Sequence, residues 1–170
     1  MSVGTPKNEV DLPYRRGVGA VLFNAEGMVF VGCRAGGGYR NAWQMPQGGI
    51  DGEETPEEAV LRELAEETGT GKADIVAETR SWLTYDLPDN LIGVSWRGKY
   101  RGQMQKWFAL RFTGDDADFD LDAHGKPEFS DWRWIGLEEL PGLVVPFKRR
   151  LYEDILAEFH DLPARIAAGG

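Results

Sequence analysis

Three glutamates and an arginine stand at spacings that can do chemistry between Gly48 and Thr70, in GGIDGEETPEEAVLRELAEETGT. Glu63, Glu66 and Glu67 are spaced i, i+3, i+4, so on a helix they share one face. Arg62 lies beside them. Like charges on one helical face cost stability, and their retention together points to a common counter-ion. Oxygen-rich clusters suit hard cations such as Mg²⁺ or Mn²⁺.

The surrounding residues supply the element that must position them. Thr55 is a good N-cap, Pro56 falls at the first helical position, and Glu58 completes a capping box. Gly69 is a natural stop. A helix is predicted from about Pro56 to Thr68. Val60, Leu61 and Leu64 form an apolar arc that must dock on a sheet, which leaves the acidic arc at the edge of that contact.

Before this helix, GVGAVLF reads as a strand ending at Phe23. A turn at residues 24–27 leads to a second strand, MVFVGCR, giving a hairpin. AGGGYRNA reads as a flexible loop, and AWQMPQGGI as a short strand and turn feeding the helix. After the helix, TGKAD reads as a linker and IVAETRSWLTYDL as mostly strand. LIGVSWRGKYRG is a polar-aromatic excursion. QMQKWFALRF is the strongest late strand, with Phe108, Leu110 and Phe112 alternating. An acidic loop, a short strand WRWI and a turn precede a last helix from Pro146, whose inward stripe is Leu151, Ile155 and Phe159. A mainly β middle with a helix on each side implies an α/β/α sandwich on a mixed sheet.

The chain has 170 residues, 42% hydrophobic and 28% charged, which bounds it to one soluble globular domain. Residues 1–13 read as a flexible arm, 14–160 as the domain and 161–170 as a fraying tail. A net charge of −9 argues against a surface that coats nucleic acid, though not against binding a phosphorylated end through a metal and a few cations. No run reaches the ~20 apolar residues of a membrane span, and no signal peptide is apparent. The single Cys33 reads as a buried thiol in a reducing cytoplasm. With His124 and His160 far apart, no zinc site is credible.

The full pattern is Gly48, five residues, Glu54, seven residues, Arg62-Glu63-Leu64, one residue, Glu66-Glu67, one residue, Gly69. It resembles the Nudix box, G-x5-E-x7-R-E-U-x-E-E-x-G-U, with U aliphatic. Thr70 departs from the last position, where an aliphatic residue packs the box. The segments YRRGVG, WQMPQGGI, SWLTYDLP, GQMQKWF, PEF-x-x-WRW and VVPFKRR-x-Y are similar to the Nudix branch of bacterial RNA pyrophosphohydrolases and asymmetric dinucleoside polyphosphate hydrolases.

The resemblance implies a metal-dependent hydrolase of phosphoanhydride bonds. Its substrate would be a 5′-triphosphorylated RNA end or a dinucleoside polyphosphate such as diadenosine tetraphosphate. Gly48 through its carbonyl, Glu63, Glu66 and Glu67 would hold Mg²⁺ or Mn²⁺, more than one ion with substrate bound, and Glu128 would add a contact or aid water activation. Glu63 or Glu67, ahead of Glu128, would take the water proton, and Arg62 would orient the carboxylates, with Glu54 as a further partner. Arg15 would reach the phosphates, as would Arg34 and Lys148. Gln103 would meet a base, and Tyr85 and Phe147 would sandwich one. Trp107, Trp132 and Trp134 read as core or supporting residues. The expected protein is a cytoplasmic monomer with no membrane partner. The competing readings are a pyrophosphatase of nucleoside triphosphates or ADP-ribose, and a nucleotide-sensing module, which commonly lacks box glutamates.

Overall fold

Apolar residues occupy both sides of the first strand, Tyr14–Phe23 (β1). Val18, Ala20 and Leu22 point to one layer, Val21 and Phe23 to the other. A strand buried on both faces belongs inside a sheet covered on both sides. The computed structural model describes residues 12–35 and 42–169 and shows that arrangement. After β1 come Val29–Arg34 (β2), Trp43–Gln44 (β3), Gln47–Gly49 (β4), the helix Pro56–Thr68 (α1), Ala73–Glu78 (β5), Leu83–Asp86 (β6), Gly102–Phe112 (β7) and Phe129–Ile135 (β8). A helical turn at Leu140–Leu143 (α2) and the helices Arg149–Phe159 (α3) and Leu162–Ala167 (α4) complete the chain.

The eight strands form one mixed sheet. β1 and β7 run parallel from Tyr14 and Gly102 to Phe23 and Arg111. The other pairings are antiparallel. Ala59, Val60 and Leu64 of α1 pack with Val18, Ala20, Leu22, Phe108 and Leu110 on one face. Leu151, Ile155 and Phe159 of α3 pack with Val21, Phe23, Trp107 and Ala109 on the other. The α/β/α sandwich is therefore observed, and both the alternation along β7 and the stripe on α3 point as the sequence predicts. Each large side chain buried this way contributes roughly 1.5–3 kcal/mol.

Several local expectations are corrected. β1 and β2 pair at Phe23 and Val29 beside the turn, then part. β4 takes the edge of β1 at Gly17–Gly19, and β2 pairs with β8 and β3. The stretch IVAETRSWLTYDL makes two strands, broken where the buried Thr79 exchanges hydrogen bonds with Trp107. β5 starts inside the expected linker. Residues 162–167 do not fray: they form α4, which buries Leu162 and Ile166 in the core. Their spacing of four residues is the helical signal that the reading of a fraying tail left out. Cys33 is half-buried. Thr70 packs despite lacking an aliphatic side chain, because it is buried and its carbonyl accepts from the Thr68 hydroxyl, 3.1 Å away. The expected flexible arm, except its last two residues, and the glycine loop at 36–41 lie outside the described residues.

Candidate active site

α1 begins and ends as its sequence dictates. The Glu58 N–H donates to Thr55 Oγ1 at 3.2 Å, the Glu58 carboxylate accepts from the Thr55 N–H, and Gly69 closes the helix at φ 83°. That left-handed conformation favours glycine. The helix leans its apolar arc on the sheet, and its acidic arc meets the Gln47–Gly49 strand.

The Gly48 position explains its own residue type. A β-carbon there would fall 2.1 Å from the Glu63 carboxyl carbon. Only glycine lets the carboxylate sit directly on the β4 backbone. One strand residue earlier, the Gln47 N–H donates to Glu67 Oε2 at 2.9 Å. The turn before β4 is itself fixed from the opposite face, where the Met45 N–H donates to the Tyr152 hydroxyl at 2.9 Å. Thus α3 and α1 clamp the same segment.

Arg62 gathers the carboxylates. Its Nε and Nη2 donate to the two Glu54 oxygens at 2.7 and 3.0 Å. Nη2 also reaches the Gly49 carbonyl at 2.8 Å, and Nη1 is shared between Glu63 at 3.0 Å and Glu66 at 3.2 Å. The bidentate pair with Glu54 is the strong geometry for such ions. It holds the Glu54 carboxyl down at about 2.

Glu67 is only 6% exposed. Burial, then the Glu63 and Glu128 charges, raise its carboxyl well above the usual range. Burial also raises Glu63.

These groups line one wall of a cavity of about 710 Å³, with Glu66 and Glu128 beside them. Arg15, Arg34 and Phe147 line it as well. Lys148 stands behind Phe147 and is 5% exposed, with its ammonium 5.1 Å from the centre of the Tyr85 ring. Burial, then the Arg34 charge, lower its pKa to about 8, while Glu67 and Glu128 pull it back up. Gln103 also lines the cavity but is buried, and its Oε1 accepts from Gln105 Nε2 at 2.6 Å. The expected aromatic sandwich is absent. Tyr85 and Phe147 have ring centres 6.0 Å apart at 42°, the separation of two rings in direct contact. No base fits between them in this arrangement, and both rings line the cavity. Trp107 is core, and Trp132 and Trp134 are half-buried around Phe30 and Phe119.

All the residues singled out from the sequence as site candidates therefore converge, Lys148 and Arg62 from just behind the cavity wall. Sequence reasoning missed Trp96, His124 and Lys126, which line the same cavity. Lys126 stands two residues before Glu128, and that proximity was the available signal. For Trp96 there was none beyond its place in the aromatic excursion. Among the described residues, no three acidic, histidine or cysteine side chains close around a single point, and Arg62 Nη1 stands between Glu63 and Glu66. The donor set still fits a hard divalent ion. It is all oxygen, it carries an excess of negative charge, and two of its carboxylates are disfavoured as bare anions.

The NUDIX domain model matches residues 13–155. An RNA pyrophosphohydrolase of Novosphingobium aromaticivorans is 56% identical over 153 residues, 89% of this chain and 95% of that protein. One from Gluconacetobacter diazotrophicus is 56% identical over 155 residues, 88% and 93% of the two chains. The solved structure of the MutT protein of Methanosarcina mazei superposes with a TM-score of 0.61 at 21% identity, covering 85% of this chain and 94% of that one, which shows the shared fold. Among the described residues no helix is long and apolar enough to cross a membrane. With its box matched at every position but the last and this carboxylate-lined cavity, the chain belongs to the Nudix hydrolase family.

Proposed function

We propose that this enzyme is an RNA pyrophosphohydrolase, converting a 5′-triphosphorylated RNA end to a 5′-monophosphate, and that it acts as a cytoplasmic monomer. The observation that carries the reading is the cavity itself. It brings four carboxylates together with Arg15, Arg34 and Phe147, a set that suits a polyphosphate joined to a nucleoside. Support comes from relatives of that name that are 56% identical across most of the chain. The net charge of −9 argues against an extended RNA-coating surface and fits recognition of the phosphorylated end.

Nudix hydrolases use divalent cations; here Glu63, Glu66, Glu67, Glu128 and the Gly48 carbonyl would hold Mg²⁺ or Mn²⁺, more than one ion with substrate bound. Such ions neutralise phosphate charge and make bound water more acidic. The protein's own residues do the rest. Arg15 and Arg34 bind the phosphate oxygens, the buried Lys148 adds its charge from behind the wall, and the nucleobase stacks on Phe147 beside Gln103. Water attacks the α-phosphorus in line. Its oxygen forms the new P–O bond, the α–β anhydride bond breaks, and pyrophosphate leaves with the bridging oxygen. Glu67 is the best-placed acceptor for the water proton. One of its oxygens is committed to the Gln47 N–H, and its raised proton affinity suits a general base. Glu63, also raised, is next, and Glu128 stands at the exposed edge. Arg62 keeps Glu63 and Glu66 in register.

The test offers triphosphorylated RNA, diadenosine tetraphosphate, ADP-ribose and a nucleoside triphosphate separately, with Mg²⁺ and with Mn²⁺. Release of pyrophosphate and monophosphorylated RNA is expected. Cleavage of ADP-ribose or the free nucleotide with none of the RNA would overturn the assignment. Cleavage of diadenosine tetraphosphate alone would move the enzyme to the dinucleoside branch.

A further inference from the structure

The segment between β6 and β7, residues 87–101, forms one lip of the cavity and carries no role so far. Its neck is closed by the Leu87 N–H donating to the Arg101 carbonyl at 2.8 Å and by the Arg101 N–H donating to the Pro13 carbonyl at 3.0 Å. Inside it, Trp96 (φ 52°, ψ 38°) and Arg97 (φ 58°, ψ 29°) are consecutive left-handed residues. They are the only non-glycine residues with positive φ among those described. Side chains with a β-carbon disfavour this conformation, and it persists only where the surroundings enforce it.

The kink places the Trp96 indole in the cavity wall, half-buried against the core and edge-on to Tyr100 at 6.2 Å. The Arg15 guanidinium carbon lies 5.6 Å from the indole centre. On its other side the same guanidinium rests on the sheet backbone, since a β-carbon on Gly49 would fall 2.2 Å from Arg15 Nη2. Arg15 makes no ion pair among the described residues. A cation held by a π-face and a bare backbone is fixed in place without its charge being neutralised. That is the state required of a group that must receive an anion.

We propose that Trp96 is a positioning residue for phosphate capture, holding the Arg15 guanidinium on the Gly49 backbone at the mouth of the cavity. The inference rests on Arg15 being a phosphate ligand and deepens that reading. The indole acts on binding, since Arg15 is preorganised rather than reoriented when the polyphosphate arrives.

The experiment is a double-mutant cycle of Trp96→Ala and Arg15→Ala, with Trp96→Phe and Trp96→Leu as the discriminating pair. Two readouts are taken: KM and kcat on triphosphorylated RNA, and calorimetric binding of a methylene-bridged, non-hydrolysable triphosphate with Mg²⁺. Trp96→Ala should weaken triphosphate binding and raise KM about 5- to 30-fold, with kcat within about threefold. In the Arg15→Ala background it should change neither further. Trp96→Phe should recover most of the loss, and Trp96→Leu, which keeps apolar bulk without a π-face, should not. The Phe and Leu variants decide the matter even if the alanine variant melts early. Leucine recovering as well as phenylalanine, full additivity with Arg15→Ala, a fall in kcat alone, or wild-type protein failing to bind the triphosphate would each overturn the proposal. RNA left uncut while the binding cycle holds would instead sink the RNA assignment and leave this one standing.

Discussion

The two walls of the cavity are built in opposite ways. The acidic wall comes mainly from one continuous stretch, β4, the following loop and α1, where Gly48, Glu54, Arg62, Glu63, Glu66 and Glu67 sit at fixed offsets. The rest of the lining is assembled from four distant pieces: Arg15 in β1, Arg34 in β2, the β6–β7 segment, and Phe147 ahead of α3 with Lys148 behind it. The first is over-determined by short-range contacts such as the Arg62 fork, and the second depends on the sheet bringing its pieces together. The proposed function accordingly assigns reaction chemistry to the first wall and substrate choice to the composite one. Substitutions in the first should change kcat, and substitutions in the second should change KM.

The strongest way to break that division is Glu67→Gln. It keeps the shape and the Gln47 N–H acceptor but removes the charge and the proton acceptor. Turnover should fall about 10²–10⁴-fold, with thermal melting at or above that of the wild type, because a buried, disfavoured anion has been removed. A rate within tenfold of normal at saturating Mg²⁺ would show that Glu67 is not the base. Next is Glu54→Gln, at a residue outside the cavity lining whose carboxylate pairs with Arg62 and accepts from the Asp51 N–H. Losing that bidentate partner should lower kcat about 10- to 100-fold with KM nearly unchanged, since small misplacements of catalytic groups are costly. An effect on KM alone would place Arg62 in substrate binding instead.

Legibility in the sequence follows the same division. The helix from Pro56 to Thr68, its capping box, its glycine stop and the Arg62–Glu54 pair were all readable, because each is set by residues within a dozen positions of one another. The composite wall was reached only through family resemblance, because its pieces are brought together by long-range pairing, as where the parallel β1–β7 register sets Arg15 beside Gln103. Spacing reports nothing about that. Even there, resemblance supplied identities and not geometry. The Tyr85–Phe147 sandwich proved to be a contact pair, and Lys148 is a buried cation. Trp96 stayed hidden because a left-handed tryptophan has no sequence signature.

Phe147→Ala sharpens the comparison from the composite side. Removing a stacking face should raise KM for triphosphorylated RNA about 5- to 100-fold, the range of a lost base–aromatic contact. It should leave kcat, and binding of the base-free triphosphate analogue, within a few fold. Equal losses on both ligands would mean that the residue supports the wall rather than the base.

The smallest expected effect compares one buried ion from each wall. Glu67 has its pKa raised in the folded state above an ordinary 4.5. From 4.5 up to the folded value the native protein holds a proton that the unfolded chain has lost, so stability falls as pH rises through that window. Lys148 has its pKa lowered from 10.5 to about 8. Between 8 and 10.5 the unfolded chain holds the extra proton, so stability rises with pH there. With chelator present, the melting temperature should therefore decline from mildly acidic to neutral pH and recover in the alkaline range, by about 2–4 °C per kcal/mol. Glu67→Gln should flatten the acid limb and Lys148→Met the alkaline limb, each leaving the other in place. Mg²⁺ should suppress the acid limb in the wild type, because a cation on the carboxylate wall stabilises the anion that burial disfavours. A melting curve unmoved by either substitution would show that neither ion carries its charge at a cost, and that the two walls are electrostatically alike.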